Sequence, residues 1–215
     1  MGNPDKYIPA MGYTALAGLY DPLIALFMRE QAFKSRLIRF AHIQPGQRVL
    51  DLGCGTATLT LMIKRAHPDS QVVGLDGDEG VLGIARHKVA RAGADIRLER
   101  GLAFDMPYVE ASFDRVLSSL VIHHISRANK RRTFAEIGRI LKPGGELHIV
   151  DFGRPRDALA WLTSALTRHA DSLADNLAGR LPDMMREAGL VEVAELDHFF
   201  TMLGTLAFYR ARKPG

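Results

Sequence analysis

Asp51-Leu52-Gly53-Cys54-Gly55-Thr56 is the segment of this chain best equipped for chemistry. An apolar run ends at Leu52, and glycines at 53 and 55 let the backbone approach a ligand with no Cβ in the way. A helix starting near Thr56 would aim its unpartnered first N–H groups at the same place. Asp76 ends the next apolar run, 25 residues after Asp51, where a carboxylate can accept hydrogen bonds from both hydroxyls of a ribose. Asp51 stands two residues before Gly53, where negative charge repels a pyrophosphate and attracts an ammonium group. The dinucleotide fingerprint G-x-G-x-x-G is also incomplete, because position 58 is Thr58. These residues describe a site for a nucleoside with a zwitterionic tail rather than for a dinucleotide.

Other residues bear on the reaction. His123-His124 follows an apolar run, and a histidine there could serve as a base near neutral pH. The alternative is structural, one ring lining a cavity and the other capping a turn. Asp151 ends a further apolar run and could orient an amine substrate or cap the turn after it. No histidine pair has the i, i+4 spacing of helical zinc sites and the single cysteine lies in the glycine turn, so no metal is expected. Arg127, Lys130, Arg131 and Arg132 read as a solvated helix face, with phosphate binding as the rival. No aromatic platform accompanies them, so nucleic acid is not an expected partner. His198, with Phe199-Phe200, reads as part of a solvated strand edge, with a place at the mouth of the site as the rival. Arg180 could hold an anion or pair with Asp183 or Glu187.

Elements must position these residues, and the pattern supplies them. Strands are predicted at 47–52, 71–76, 96–100, 113–117 and 146–151, with helices between them at 56–66, 78–91 and 128–141. Pro143-Gly144-Gly145 reads as the turn that stops the last helix. Helical spacing covers about 157–189, and two strands at 191–199 and 205–212 form an antiparallel pair. The alternation predicts an α/β fold with a doubly wound, mostly parallel, Rossmann-like sheet of seven strands, the last antiparallel. Its parts are a helical cap or lid over 1–42, a cofactor-binding core over 43–152, a helical insert over 153–190 and a strand pair over 191–215. A chain of 215 residues with 47% hydrophobic and 24% charged residues is an ordinary globular domain needing no disulfide. One cysteine fits a reducing, cytoplasmic setting, and the formal charge of +4 permits an anionic partner without demanding one. Residues 10–28 carry a single charge, Asp21, but glycines and Pro22 interrupt them, which argues against a spanning helix and suits a lid. The basic amphipathic pattern after Leu26 packs on the core or lies on a membrane surface.

The motifs taken together resemble class I S-adenosylmethionine-dependent methyltransferases. Asp51-Leu-Gly-Cys-Gly is similar to that family's first motif and Gly74-Leu75-Asp76 to its second. Gly101 to Tyr108, running into Ala111-Ser112-Phe113-Asp114, resembles the adenine-side loop and fourth strand, and Leu141-Lys142-Pro143-Gly144-Gly145 with Ile149-Val150-Asp151-Phe152 the turn and strand after them. The resemblance implies that Gly53, Cys54 and Gly55 flank the methionine part, with Asp51 beneath its ammonium and Asp76 on the ribose. It places Gly77 and Leu102 at the adenine, gives that base the Ala103 N–H, and sets Ser118 and Ser119 at the methionine end. Tyr20, in a Tyr-Asp pair, would reach the cofactor with its hydroxyl. Leu102 stands where the family has an acid for the adenine amino group.

The subgroup resembled is that of small-molecule methyltransferases, including quinone-biosynthesis and phospholipid head-group enzymes. The expected function is methyl transfer from S-adenosylmethionine to a small-molecule or lipid-like acceptor, with His123, His124 and Asp151 as candidate catalytic residues. The rival readings are an amine N-methyltransferase working on phospholipid head groups at a membrane surface and a catalytically silent S-adenosylmethionine-binding partner protein.

Overall fold

A computed structural model describes residues 29–156, 171–201 and 204–215. Among these residues seven strands form one sheet: β1 (Arg48–Leu52), β2 (Gln71–Asp76), β3 (Ile96–Arg100), β4 (Phe113–Ser119), β5 (Leu141–Phe152), β6 (Val191–Thr201) and β7 (Gly204–Arg212). The α-helices described with them are α1 (Glu30–Phe40), α2 (Thr58–Ala66), α3 (Glu79–Arg91), α4 (Arg127–Ile140), α5 (Asp171–Leu177) and α6 (Leu181–Glu187). The strand order is β3-β2-β1-β4-β5-β7-β6. β1 to β5 are parallel, and β7 runs antiparallel to both its neighbours. The fold is the doubly wound α/β sheet that the alternation predicts.

The core lies on both faces of the sheet, as the strands' apolar residues require. Leu50, Leu52, Val116, Leu147, Ile149 and Tyr209 pack under α4 and α6 with Phe134, Ile137, Ile140, Met184 and Met185. Val49, Val72, Leu117, Val150 and Phe208 face the other way, against α1 through Phe33, Leu37 and Ile38 and against α2 through Leu59 and Ile63. The part of the expected cap that is described, α1, therefore packs on the sheet through its apolar stripe. From β1 the chain builds outward to β2 and β3, then returns to lay β4 on the other side of β1. The carboxyl ends of β1 and β4 thus flank a topological switch point, where open α/β sheets bind ligands.

Several expectations change. The helix expected from Thr56 begins at Thr58, because Ala57 takes a left-handed conformation with φ 61°. Pro143-Gly144-Gly145 lies inside β5 rather than ahead of it: the register slips between the Phe113–Leu141 and Arg115–Glu146 pairs, and these residues form the bulge. A Cβ on Gly145 would come within 2.9 Å of the Lys142 carbonyl oxygen, so the bulge needs glycine. β4 runs two residues further than expected, to Ser119. The described part of the helical stretch is broken into α5 and α6 around Gly179, whose φ is +68°.

Of the basic run on α4, Arg127, Arg131 and Arg132 are exposed as expected, and Lys130 alone turns inward. Lys130 is fully buried and donates from Nζ to Asn176 Oδ1 at 2.7 Å and to the Ser172 carbonyl. Burial pulls its pKa down to about 8, against the opposing pull of Asp175 and Asp151. Arg127 binds both oxygens of buried Asp175, its Nη2 to Oδ1 at 2.6 Å, and Arg131 reaches Glu187 at 3.0 Å. Arg132 lies over the Phe104 ring, 5.0 Å from its centroid. Arg180 sits 3.7 Å from Asp175, whereas Asp183 pairs with Arg186 and Glu187 with Arg131. These cations tie the insert to the sheet beside the 3-10 turn Ile122–His124.

Asp175→Ala is expected to lower stability to urea by about 3 kcal/mol, the upper range for hydrogen bonds to a charged group. The exposed pair of Arg131 and Glu187 supplies the contrast, since Arg131→Ala should change it by less than about 1 kcal/mol.

Candidate functional site

The glycine turn is built from the β2 side. The N–H groups of Gly53 and Cys54 both donate to the Leu75 carbonyl, at 2.8 and 3.0 Å, and Gly55 N–H donates to Asp76 Oδ2 at 2.8 Å. Gly53 has φ +72°, and a Cβ there would lie 2.3 Å from the Val121 side chain, so this glycine is fixed by packing as well as by backbone conformation. A Cβ on Gly55 would meet nothing within 4 Å, and this side of the turn faces open space. The Cys54 thiol turns inward and touches the place of a Gly74 Cβ at 3.0 Å. Burial pushes that thiol's pKa far up, with Asp51 and Asp76 adding to the shift. Asp76 also accepts from the Asp78 N–H at 3.0 Å on Oδ1. Each of its oxygens thus holds one backbone donor and keeps room for another. Gly77 follows it, half-buried, and Asp78 caps α3 through Gly80 and Val81.

Asp51 is 1% exposed at the end of β1. Its Oδ2 accepts from Thr60 Oγ1 at 2.6 Å, a hydroxyl carried by the first turn of α2. Burial drives its pKa up from 3.8 to about 6. The Thr60 bond and the Lys34 charge pull the other way, and Asp76 adds repulsion. The end of β1 therefore carries a carboxylate short of positive partners.

The loop over 102–108, expected at the adenine, is held by α4. Asp105 N–H closes a turn on the Leu102 carbonyl at 3.1 Å, with Ala103 half-buried between them. Glu136 Oε2 accepts the Met106 N–H at 2.9 Å, and Arg139 donates to the carbonyls of Tyr108 at 2.5 Å and Met106 at 3.2 Å. Arg139 and Glu136 pair at 2.7 Å. Neither residue is singled out by the sequence, since a Glu and an Arg three apart on a helix look like an ordinary surface pair.

Across the switch point, Ser118 is fully buried and donates to the Leu52 carbonyl at 3.0 Å, joining β4 to β1. Ser119 Oγ is buried and has no partner among the described residues. Asp151 organises the turn beyond β4. Its Oδ2 accepts the N–H groups of Ile122 at 2.7 Å and His123 at 3.3 Å, and its Oδ1 accepts Phe152 N–H at 2.7 Å and bonds His123 Nδ1 at 2.7 Å. Burial alone would raise this acid's pKa, but the His123 charge and these hydrogen bonds hold it below the ordinary carboxylate range. An ionised Asp151 only accepts, so His123 Nδ1 is the donor in that bond and Nε2 lies on the far side of the ring from the acid. All four acceptor positions of Asp151 are filled, which leaves none for an amine substrate. The His123 ring stands edge-on to Phe152 at 4.9 Å and against His124 at 3.9 Å. Burial and then the His123 charge lower the His124 pKa to about 4, so this ring is neutral at physiological pH. His198 packs on Phe200 at 5.1 Å on the outer strand β6. Tyr20 and the apolar stretch 10–28 lie outside the described residues.

The structure thus brings Asp51, the glycine turn, Asp76, the 102–105 turn, Ser119, His123 and Asp151 to one edge of the sheet. The sequence did not point to Thr60 or Lys34, whose roles depend on which helix face meets the end of β1.

Comparison with known proteins bears on the family and the fold. Residues 49–145 match the family model of a methyltransferase domain. The demethylmenaquinone methyltransferase of Symbiobacterium thermophilum is 30% identical, over 80% of this chain and 78% of that protein. A putative methyltransferase from Bacillus halodurans superposes with a TM-score of 0.70 at 21% identity, covering 85% of this chain and 99% of that one. Haemonchus contortus phosphoethanolamine N-methyltransferase 2, solved with S-adenosylhomocysteine, superposes with a TM-score of 0.68 at 20% identity over 83% of this chain and 51% of that one. With sheet order, motif placement and relatives in agreement, the chain belongs to the class I S-adenosylmethionine-dependent methyltransferases.

Proposed function

We propose that this methyltransferase acts on a hydroxylated aromatic ring of the quinol class that carries an apolar tail, with His123 as general base. The observation that carries the reading is the His123–Asp151 pair at the carboxyl edge, 2.7 Å apart, with Nε2 on the far side of the ring from the acid. The name of the Symbiobacterium relative, a demethylmenaquinone methyltransferase, supports the acceptor class.

In this reading S-adenosylmethionine lies across the switch point. Asp51 takes its ammonium, the free positions of Asp76 take the ribose hydroxyls, and Gly55 gives the chain room to pass. Gly77 and Leu102 flank the adenine, and the Ala103 N–H meets its edge. Methyl transfer from the sulfonium is an in-line displacement: the carbon–sulfur pair stays on sulfur and the acceptor forms the new bond. His123 Nε2 takes the acceptor's hydroxyl proton, raising electron density on the ring, and Asp151 stabilises the imidazolium that results; the ring carbon that takes the methyl then loses its own hydrogen to solvent as a proton, and His123 returns its proton to the ring oxygen, so that one proton is released per methyl transferred. Asp151 acts as a positioning residue, since its own oxygens are filled. Orientation against the methyl group supplies most of the rate, with effective molarities of about 10⁵ M or more attainable that way.

An acceptor with an apolar tail resides in a bilayer, so the proposed reading includes contact with a membrane surface. Exposed Arg29 and Arg39 beside α1 and the exposed ring of Phe200 support that contact. No helix among the described residues is long and apolar enough to cross a membrane.

The direct test is production of S-adenosylhomocysteine over a panel of reduced quinols, phenols, amines and phosphoethanolamine. Turnover confined to hydroxylated rings supports the reading, and turnover confined to amines overturns it. His123→Gln should lower kcat on the quinol by about 10²-fold to 10⁴-fold. Cofactor affinity should stay within about twofold, and an unchanged kcat would remove His123 from the mechanism.

Asp51 gives a pH-dependent prediction. Its pKa near 6 means that S-adenosylhomocysteine affinity should be flat above about pH 7 and fall about tenfold per unit below 6. The folded-state value lies above the ordinary 3.8, so the fold favours the protonated acid and loses that stability as pH rises from 3.8 to about 6. Asp51→Asn should therefore stabilise the ligand-free protein by about 1–3 kcal/mol while weakening cofactor binding at least about tenfold. Thermal melts and calorimetry read the two effects separately.

A further inference from the structure

We propose that α5 braces the His123–Asp151 pair, and that Lys130, too deeply buried to meet a substrate, is a positioning residue for methyl transfer. The inference rests on the reading of His123 as general base and extends it to the helical insert.

The two members of the pair come from different parts of the chain. His123 lies in the turn Ile122–His124 ahead of α4, and Asp151 lies at the end of β5. Their 2.7 Å bond survives only while these two segments keep their spacing. α5 packs on both of them, and each sends cations to it. From the first turn of α4, Arg127 binds Asp175, and Lys130 binds the Ser172 carbonyl and Asn176 Oδ1. From just past the end of β5, Arg154 donates through Nε to the Ala178 carbonyl at 3.0 Å. It crosses Gly179 to get there, where a Cβ would come within 2.2 Å of Nε. The insert thus ties the segment that carries the base to the segment that orients it.

The seat of α5 is built to fix position rather than to add stability. Lys130, Asp175 and Asn176 are fully buried, in places where apolar side chains would pack without the cost of stripping water from charge. Asn176 Nδ2 and Thr133 Oγ1, the latter one turn along α4 from Lys130, are buried with no partner among the described residues. Directional bonds from an ammonium and a guanidinium specify one register, which apolar contacts alone would leave free to slide. A helix of seven residues does not hold itself, so its place is set by these bonds. Arg131 and Arg132 of the same basic run reach α6 and the 102–108 loop instead.

The test reads the pair itself. An imidazole N–H bound to a carboxylate gives a far-downfield proton resonance, and its loss in His123→Gln identifies the one that belongs to His123. Lys130→Met keeps the apolar stem and removes the ammonium, whereas Arg154→Ala removes an exposed arm and leaves the core untouched. Each should broaden or abolish the resonance. Each should also lower kcat on dihydroxynaphthalene, a plain quinol probe, by about tenfold or more, with S-adenosylhomocysteine affinity kept within about twofold. Circular dichroism melts follow the fold, and Arg154→Ala carries the test where Lys130→Met melts early. A resonance unchanged in both variants would overturn the brace. So would cofactor affinity that falls in step with kcat, since that marks general loosening. A resonance lost in both variants, with kcat unchanged there and in His123→Gln, keeps the brace and removes the general-base reading.

Discussion

An acid short of neutralising charge sits at the end of the central strand, and much of this structure depends on that. Asp51 lies 1% exposed at the end of β1 with Thr60 as its close partner. A buried charge without a counter-ion works against the folded state. The chain tolerates it because the deficit is local and the surrounding sheet is packed on both faces. The same deficit makes the site selective, since a ligand that brings an ammonium relieves it and one that brings a phosphate worsens it.

Asp151 shows how much environment decides. It is as deeply buried as Asp51 and ends β5, the neighbour of β4 in the sheet. Four donors converge on it, whereas Asp51 is held by Thr60 alone, and the two acids shift in opposite directions from the same starting point. One is an acid that has its partners and uses them to fix a turn and a histidine. The other is an acid kept waiting. In the proposed mechanism they supply a seat for a cation and an oriented base, and parallel strands deliver both to the same side. The insert helices contribute from the opposite direction, as Arg127 and Lys130 hold α5 against the turn that carries His123.

Sequence reading reached the fold class and the main motifs because both depend on local signals. The apolar runs, glycines and strand-end acids near 51, 76 and 151 each announce themselves within a few residues. It misplaced Pro143-Gly144-Gly145, because a proline and two glycines after a helix look the same in a turn and in a bulge, and only the pairing of β4 with β5 separates the two. It read the basic run on α4 as solvent-facing, which holds for Arg127, Arg131 and Arg132 but not for buried Lys130, because the groups that meet the run, Asp175, Asn176 and Glu187, lie about 50 residues away in the chain. Lys34, Thr60, Glu136 and Arg139 escaped notice for a similar reason. Their residue types are commonplace, and their meaning comes from what the folded chain brings beside them. The filled valences of Asp151 likewise exist only in three dimensions, so substrate contact and turn capping stay indistinguishable in sequence.

The claim that the end of β1 waits for a cation can be tested through the proton it carries. At pH 6 about half of the Asp51 side chains are protonated in the free protein. An ammonium seated on the acid forces them to ionise. Calorimetry of S-adenosylhomocysteine binding at that pH, repeated in buffers of different ionisation enthalpy, counts the protons exchanged. Release of about half a proton per bound cofactor at pH 6, vanishing by pH 8 and in Asp51→Asn, is the predicted result. Binding with no proton exchange at pH 6 would contradict it, and would mean that the cofactor's charge is met elsewhere.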